Sequence, residues 1–204
     1  AFADFMLQVT YPPNPIRHLD NSLTPDQQTG HDFFVDPHIV DFTNSCVDCH
    51  VIDRNSNPGT AVPGSFGTAG LLAFELGTQV FKVPHLRNAY QKVGMFGVAP
   101  TSIVNPGDTD FKGDQVRGFG FTHDGSLDAV FRFINISGFN QLPVVNPGGF
   151  PPGPAGVLLR RQVEDFVLAF DTNLFPIGGQ QITLTRSNGA VAGHRIDLLI
   201  ARAN

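Results

Sequence analysis

The chain has 204 residues and a formal charge of −5, so a nucleic-acid partner, which needs a basic footprint, is not expected. Hydrophobic residues make up 41% and charged residues 15%, which suits a packed core and excludes wholesale disorder. No apolar run approaches the roughly 18 to 20 residues of a membrane span.

The chain opens Ala1-Phe2-Ala3-Asp4 with no leader, and is read as a mature product or a piece of a longer protein. Residues 1–22 contain Tyr11-Pro12-Pro13-Asn14-Pro15, which cannot form helix interior, and are expected to be an extended lead-in on the surface. Thr24, Pro25 and Gln27 form a capping-box pattern that predicts a helix over 25–34, with Gly30, Phe33 and Phe34 inside it. Residues 55–70 are rich in Gly, Pro, Ser and Thr and read as a loop. Pro84 is expected to open a short helix reaching about residue 92, and 100–120 is a further long loop.

Leu127, Val130, Phe131 and Ile134 fall on one face of an amphipathic helix. Residues 141–156 are rich in Pro and Gly and are expected to be irregular. Leu159, Val163, Phe166, Val167 and Phe170 repeat at helical spacing and mark the clearest helix of the chain. Residues 182–185 and 194–200 read weakly as strands. The expected organisation is a lead-in (1–22), a mostly α-helical domain with long loops (23–172), and a β-like tail (173–204) that looks like the start of something continued.

The chemistry lies in Cys46-Val47-Asp48-Cys49-His50, which holds both cysteines of the chain. This C-x-x-C-H spacing is the attachment signature of haem c. Two thiols three positions apart reach the two vinyl groups of one porphyrin, and the next residue, His50, is held beneath the iron as an axial ligand. The other readings are a redox disulfide, which expects a βαβ setting absent here, and a structural zinc site, which needs four ligands and has no second Cys pair. The 19 Phe residues and absent Trp suit a dry interior around such a flat apolar group. Covalent attachment implies maturation outside the cytoplasm, so a periplasmic, cell-surface or extracellular location is expected.

The surroundings of the motif extend this. A capped helix with a central Gly precedes C-x-x-C-H. A Gly-rich loop follows, then Val83-Pro84-His85-Leu86-Arg87-Asn88, Phe121-Thr122-His123-Asp124-Gly125-Ser126 and a closing amphipathic helix. Over residues 23–171 this order resembles the C-terminal haem domain of bacterial di-haem cytochrome c peroxidases, which carry P-x-L-R-N and H-D-G segments after their haem motif. The resemblance implies a class I cytochrome c-like fold in which the first and last helices cross, Gly30 permitting close approach and Phe166 or Phe170 packing there. It implies that Arg87 binds a haem propionate, the alternative being a surface salt bridge. It places His123 near the haem edge as support, the alternative being a hydrogen-bonded structural histidine. Asn88 would fix local backbone.

The sequence also departs from that family. It has one C-x-x-C-H and lacks the second haem domain, so a two-haem peroxidase route is not expected. The family's methionine ligand lies 14 residues after the H-D-G histidine, where this chain has Ser137. Met95, 45 residues after His50 and set in Gly94-Met95-Phe96-Gly97, is the expected substitute; otherwise it fills a gap in the core. His85 is the rival ligand, and Met6 lies too far upstream. Residues 96–120 look like an insertion.

The expected function is single-electron transfer through one covalent haem c with His50/Met95 ligation, serving a redox partner protein or another haem domain. The alternative is a peroxidase-like or gas-sensing haem protein with an open sixth position, with His85 or His123 as acid–base group. A purely structural module is a third possibility that no residue favours.

Overall fold

The computed structural model describes residues 1, 2, 5, 11–41, 43–50, 52, 72–74, 80–94 and 118–203. The expected loop at 55–70, residues 101–117 and Met95 lie outside them. The described chain is mostly helical with few strands. Helix α1 spans Pro25–Val35, and its start is the expected capping box. The Gln27 amide donates to Thr24 Oγ1 at 3.2 Å, and the Thr24 amide donates to Gln27 Oε1 at 3.0 Å. Two amides that the helix itself cannot satisfy are therefore bonded, and Pro25 has none to satisfy. The one-turn helix α2 is Cys46–Cys49. Strands β1 (Leu72–Phe74) and β2 (Val80–Lys82) pair antiparallel, with Ala73 opposite Phe81.

Helix α3 covers Val130–Ile134 and α4 Gly153–Leu168. The main core is the α1–α4 crossing, which occurs at Gly30. A Cβ built there would lie 1.9 Å from the Gln162 carbonyl oxygen, so only a residue without one fits. Around that point Phe34 meets Phe166 and Phe170 with ring centroids 5.3 and 6.0 Å apart. Each such buried ring contributes about 2–3 kcal/mol from apolar surface alone.

Helix α3 starts three residues later than the apolar spacing suggests. Leu127 is held extended, accepting from the Phe121 amide at 2.7 Å. Ala129 before the helix has no side-chain acceptor, and α4 supplies one: Glu164 Oε1 takes the Phe131 amide at 2.8 Å. Burial raises the Glu164 carboxyl above the ordinary range, against the bonds from Phe131 and Arg161. The folded chain thus holds that proton more tightly than the unfolded one. Stability is then lost as pH rises from about 4.3, the unperturbed Glu value, through the raised one. Asp165, also raised by burial, acts in the same direction. Glu164→Gln should flatten part of this slope in urea midpoints taken between pH 4 and 8; a slope parallel to the wild type would contradict the assignment.

Three expectations are corrected. Residues 84–92 are not a helix beyond the 3-10 turn Ala89–Gln91: 84–86 have no regular structure, and the Pro84 carbonyl is committed to His50 Nδ1 rather than to a helical amide. The lead-in is not merely a surface segment, since Asn14 is 1% exposed. Its Nδ2 donates to the carbonyls of Leu168 and Phe170 at 2.8 and 3.0 Å, and Arg17 donates to Ala169 O at 3.0 Å. Residues 11–21 are therefore a strap that closes the C-terminal end of α4, where the last carbonyls lack helical partners. The tail is not β-like: Gly189–Ala203 forms helix α5, and 182–185 has no regular structure. Ala192, Ile196 and Leu199 recur at i, i+4 and i+7; Ala192 is buried and the other two are half-buried.

Candidate functional site

The Cys46–His50 segment is shaped by Asp48. Its Oδ2 accepts from the Ser45 amide at 2.6 Å and the Ser45 hydroxyl at 2.8 Å, fixing the start of α2. One turn then separates Cys46 from Cys49, so both thiols share a face. Both are half-buried and free. Burial pushes the Cys46 thiol up to about 12, and Cys49 is raised for the same reason, with the carboxylates of Asp41 and Asp48 adding to it. At neutral pH these are uncharged thiols. A redox C-x-x-C works through a thiolate, which is favoured by an electropositive setting rather than by this apolar and acidic one. Among the described residues, no three His, Cys, Asp or Glu side chains converge as ligands for a metal ion.

His50 follows directly, its amide bonded to Cys46 O at 2.9 Å. Its Nδ1 lies 2.9 Å from the Pro84 carbonyl oxygen. A carbonyl only accepts, so Nδ1 carries the hydrogen and Nε2 keeps its lone pair. Desolvation lowers the pKa of this imidazole, opposed by the Pro84 bond, so the ring is neutral. A neutral imidazole whose tautomer and direction are set by a backbone acceptor is the form in which histidine binds a metal. The Phe34 ring lies 6.4 Å from it.

The segment after β2 supplies that acceptor and two further groups. Arg87 is 1% exposed, which rules out a surface salt bridge. Its guanidinium donates to the Ile52 carbonyl and sits 5.6 Å from the Phe170 ring centroid, so it ties the chain just beyond His50 to the end of α4. His85 has Nε2 2.7 Å from Tyr11 Oη and Nδ1 3.3 Å from the Arg87 amide. It directly follows Pro84, whose carbonyl faces His50 Nδ1.

His123 is exposed on a turn with φ 66°, after Thr122 at 64°. The turn is closed by Thr122 Oγ1 to Ser126 Oγ at 2.6 Å and by the Ser126 amide on Asp124 Oδ1 at 2.9 Å. The Ser126 amide, and then the Ser126 and Thr122 hydroxyls, hold the Asp124 carboxyl below its usual range. The hairpin is anchored to the residues preceding Met95: Gly120 N donates to Lys92 O at 2.8 Å and Gly94 N to Asp128 O at 2.8 Å. Ser137 lies in the 3-10 turn Ser137–Phe139 and is half-buried.

Of the site residues drawn from the sequence, Cys46, Cys49, His50 and Arg87 are thus brought into one region. His123 belongs to a neighbouring hairpin. Sequence reasoning missed Pro84 as the acceptor of His50, because a backbone carbonyl has no letter of its own. It also missed Tyr11, although a tyrosine inside an apolar chain needs a hydrogen-bond partner.

The chain matches no family model, no curated protein and no solved structure. Among the described residues, no helix is long and apolar enough to cross a membrane.

Proposed function

We propose that this chain is a single-electron carrier built on one covalently attached haem c, akin to the C-terminal domain of the di-haem peroxidases. The observation that carries this reading is the His50–Pro84 hydrogen bond, which leaves a neutral, oriented Nε2 beside two uncharged thiols. Cys46 and Cys49 would each add S and H across one vinyl group, an addition that consumes no oxidant. His50 would bind iron through Nε2. Such a haem supplies a reversible one-electron couple whose potential follows its axial ligands and surroundings. Phe34, whose ring lies 6.4 Å from His50 and packs on Phe166 and Phe170, would help keep water from a bound haem, which would favour its less charged reduced state. Arg87, which is buried, would hold a haem propionate by a charge-assisted hydrogen bond. His123 is an edge group or a local structural histidine. The maturation this attachment requires puts the protein in the periplasm, at the cell surface or outside, where a redox protein or another haem domain is its partner.

Met95 is the proposed sixth ligand. In the reduced protein, carbon monoxide should leave the wild-type spectrum unmoved and should bind Met95→Leu. If wild type takes up the gas readily, the sixth position is open, and the peroxidase-like or gas-sensing reading replaces electron transfer. If neither protein binds, another strong ligand closes the iron; Met95 is then only packing while electron transfer stands.

A further inference from the structure

Tyr11 lies 35 residues before the Cys46–Cys49 turn in sequence, yet it is joined to the proximal ligand through a short chain of bonds. We propose that Tyr11 is a positioning residue for His50, an inference that rests on the haem reading above. The Arg87 amide can only donate, so the Nδ1 of His85 that it meets at 3.3 Å is the acceptor. A neutral His85 therefore carries its hydrogen on Nε2 and donates it to Tyr11 Oη at 2.7 Å, with the two rings packed 4.8 Å apart. His85 is thus gripped at both nitrogens.

The grip matters because of covalent geometry. The Pro84 carbonyl and the His85 amide belong to one planar peptide unit, so fixing His85 fixes the direction of the carbonyl. That carbonyl is the group His50 Nδ1 donates to at 2.9 Å. Tyr11 itself is held from behind, since Asn14 and Arg17 bind the strap to the end of α4. A stronger, better-aligned Nδ1–H bond makes Nε2 more basic, and a more basic ligand stabilises the oxidised iron. Loss of the Tyr11 bond should therefore raise the reduction potential.

The test uses the full chain matured with its haem, as wild type, Tyr11→Phe and Asn14→Ala. Phenylalanine keeps the ring and removes the acceptor. Asn14→Ala weakens the strap without touching His85. Tyr11→Phe should raise the potential so that the reduced-to-oxidised ratio at the wild-type midpoint changes about threefold, with altered ferric electron-paramagnetic-resonance g values. Asn14→Ala, which acts on Tyr11 only through the strap, should lower the unfolding midpoint and shift potential and g values by clearly less than Tyr11→Phe does. A Tyr11→Phe protein with wild-type potential and g values overturns the proposal, as does an Asn14→Ala protein whose potential moves equally. If Tyr11→Phe yields no loaded protein, His85→Asn removes the same bond from the other side and carries the same expectation. A wild-type chain that retains no haem after denaturation defeats the haem reading itself, and this inference with it.

Discussion

After maturation in a cell equipped for haem attachment, the wild-type chain should keep its haem through denaturation and acid–acetone extraction, whereas Cys46→Ala/Cys49→Ala should lose all of it. The two thiols stand one helical turn apart on α2, both uncharged and half-buried. Each single replacement removes one thioether, so Cys49→Ala should stay attached through Cys46, with its reduced absorption band moved to longer wavelength by the remaining vinyl group. His50→Ala should be attached through both thiols but should bind carbon monoxide, because the axial imidazole is gone while the sulfur bonds remain. The opposite pattern is equally definite. If the matured wild-type chain carries no haem and instead shows a Cys46–Cys49 disulfide with a measurable potential, the redox-pair reading is correct. The raised thiol pKa values argue against that outcome, since disulfide exchange proceeds through the thiolate.

Much of the architecture was legible before any coordinate. The capping box at Thr24 and the helical spacing from Leu159 to Phe170 are local signals, and local signals survive folding when nothing competes with them. The close approach at Gly30 was also expected, but from resemblance rather than from the residue, because a glycine alone does not say what comes near it. What failed was local reasoning applied to segments whose partners are distant. Residues 194–200 hold a dense apolar run that imitates a strand, and only the inward spacing of Ala192, Ile196 and Leu199 betrays a helix. The polar side chains of the strap looked like surface because nothing near them in sequence needs capping; their acceptors are more than 150 residues away. At the site, Cys46, Cys49 and His50 were readable from spacing. The two features that orient His50, the Pro84 carbonyl and the Tyr11–His85 pair, were not, because they are made by backbone direction and by contact across 74 positions.

Gly30→Ala should destabilise the protein by about 3 kcal/mol or more, a large share of the roughly 5–15 kcal/mol that holds a domain together. The new methyl group would meet Gln162 O at 1.9 Å, Gln162 C at 2.4 Å and Val163 Cα at 2.9 Å, all backbone atoms of α4. No rotamer change relieves such contacts, so the helices must separate and loosen the Phe34, Phe166 and Phe170 packing on both sides of the crossing. Alanine's better helix propensity returns only about 1 kcal/mol of that loss. Phe34 is one turn beyond Gly30 on the same face of α1, and its ring is the one beside His50. Movement of α1 should thus disturb the site as well as the core, and haem yield should fall together with the urea midpoint. Gly193→Ala on α5 is the control: nothing lies within 4 Å of a Cβ there, so it should gain about 0.5–1 kcal/mol from helix propensity. A Gly30→Ala protein within 0.5 kcal/mol of wild type would mean that α1 and α4 do not cross at this residue, and the expected fold around His50 would have to be redrawn.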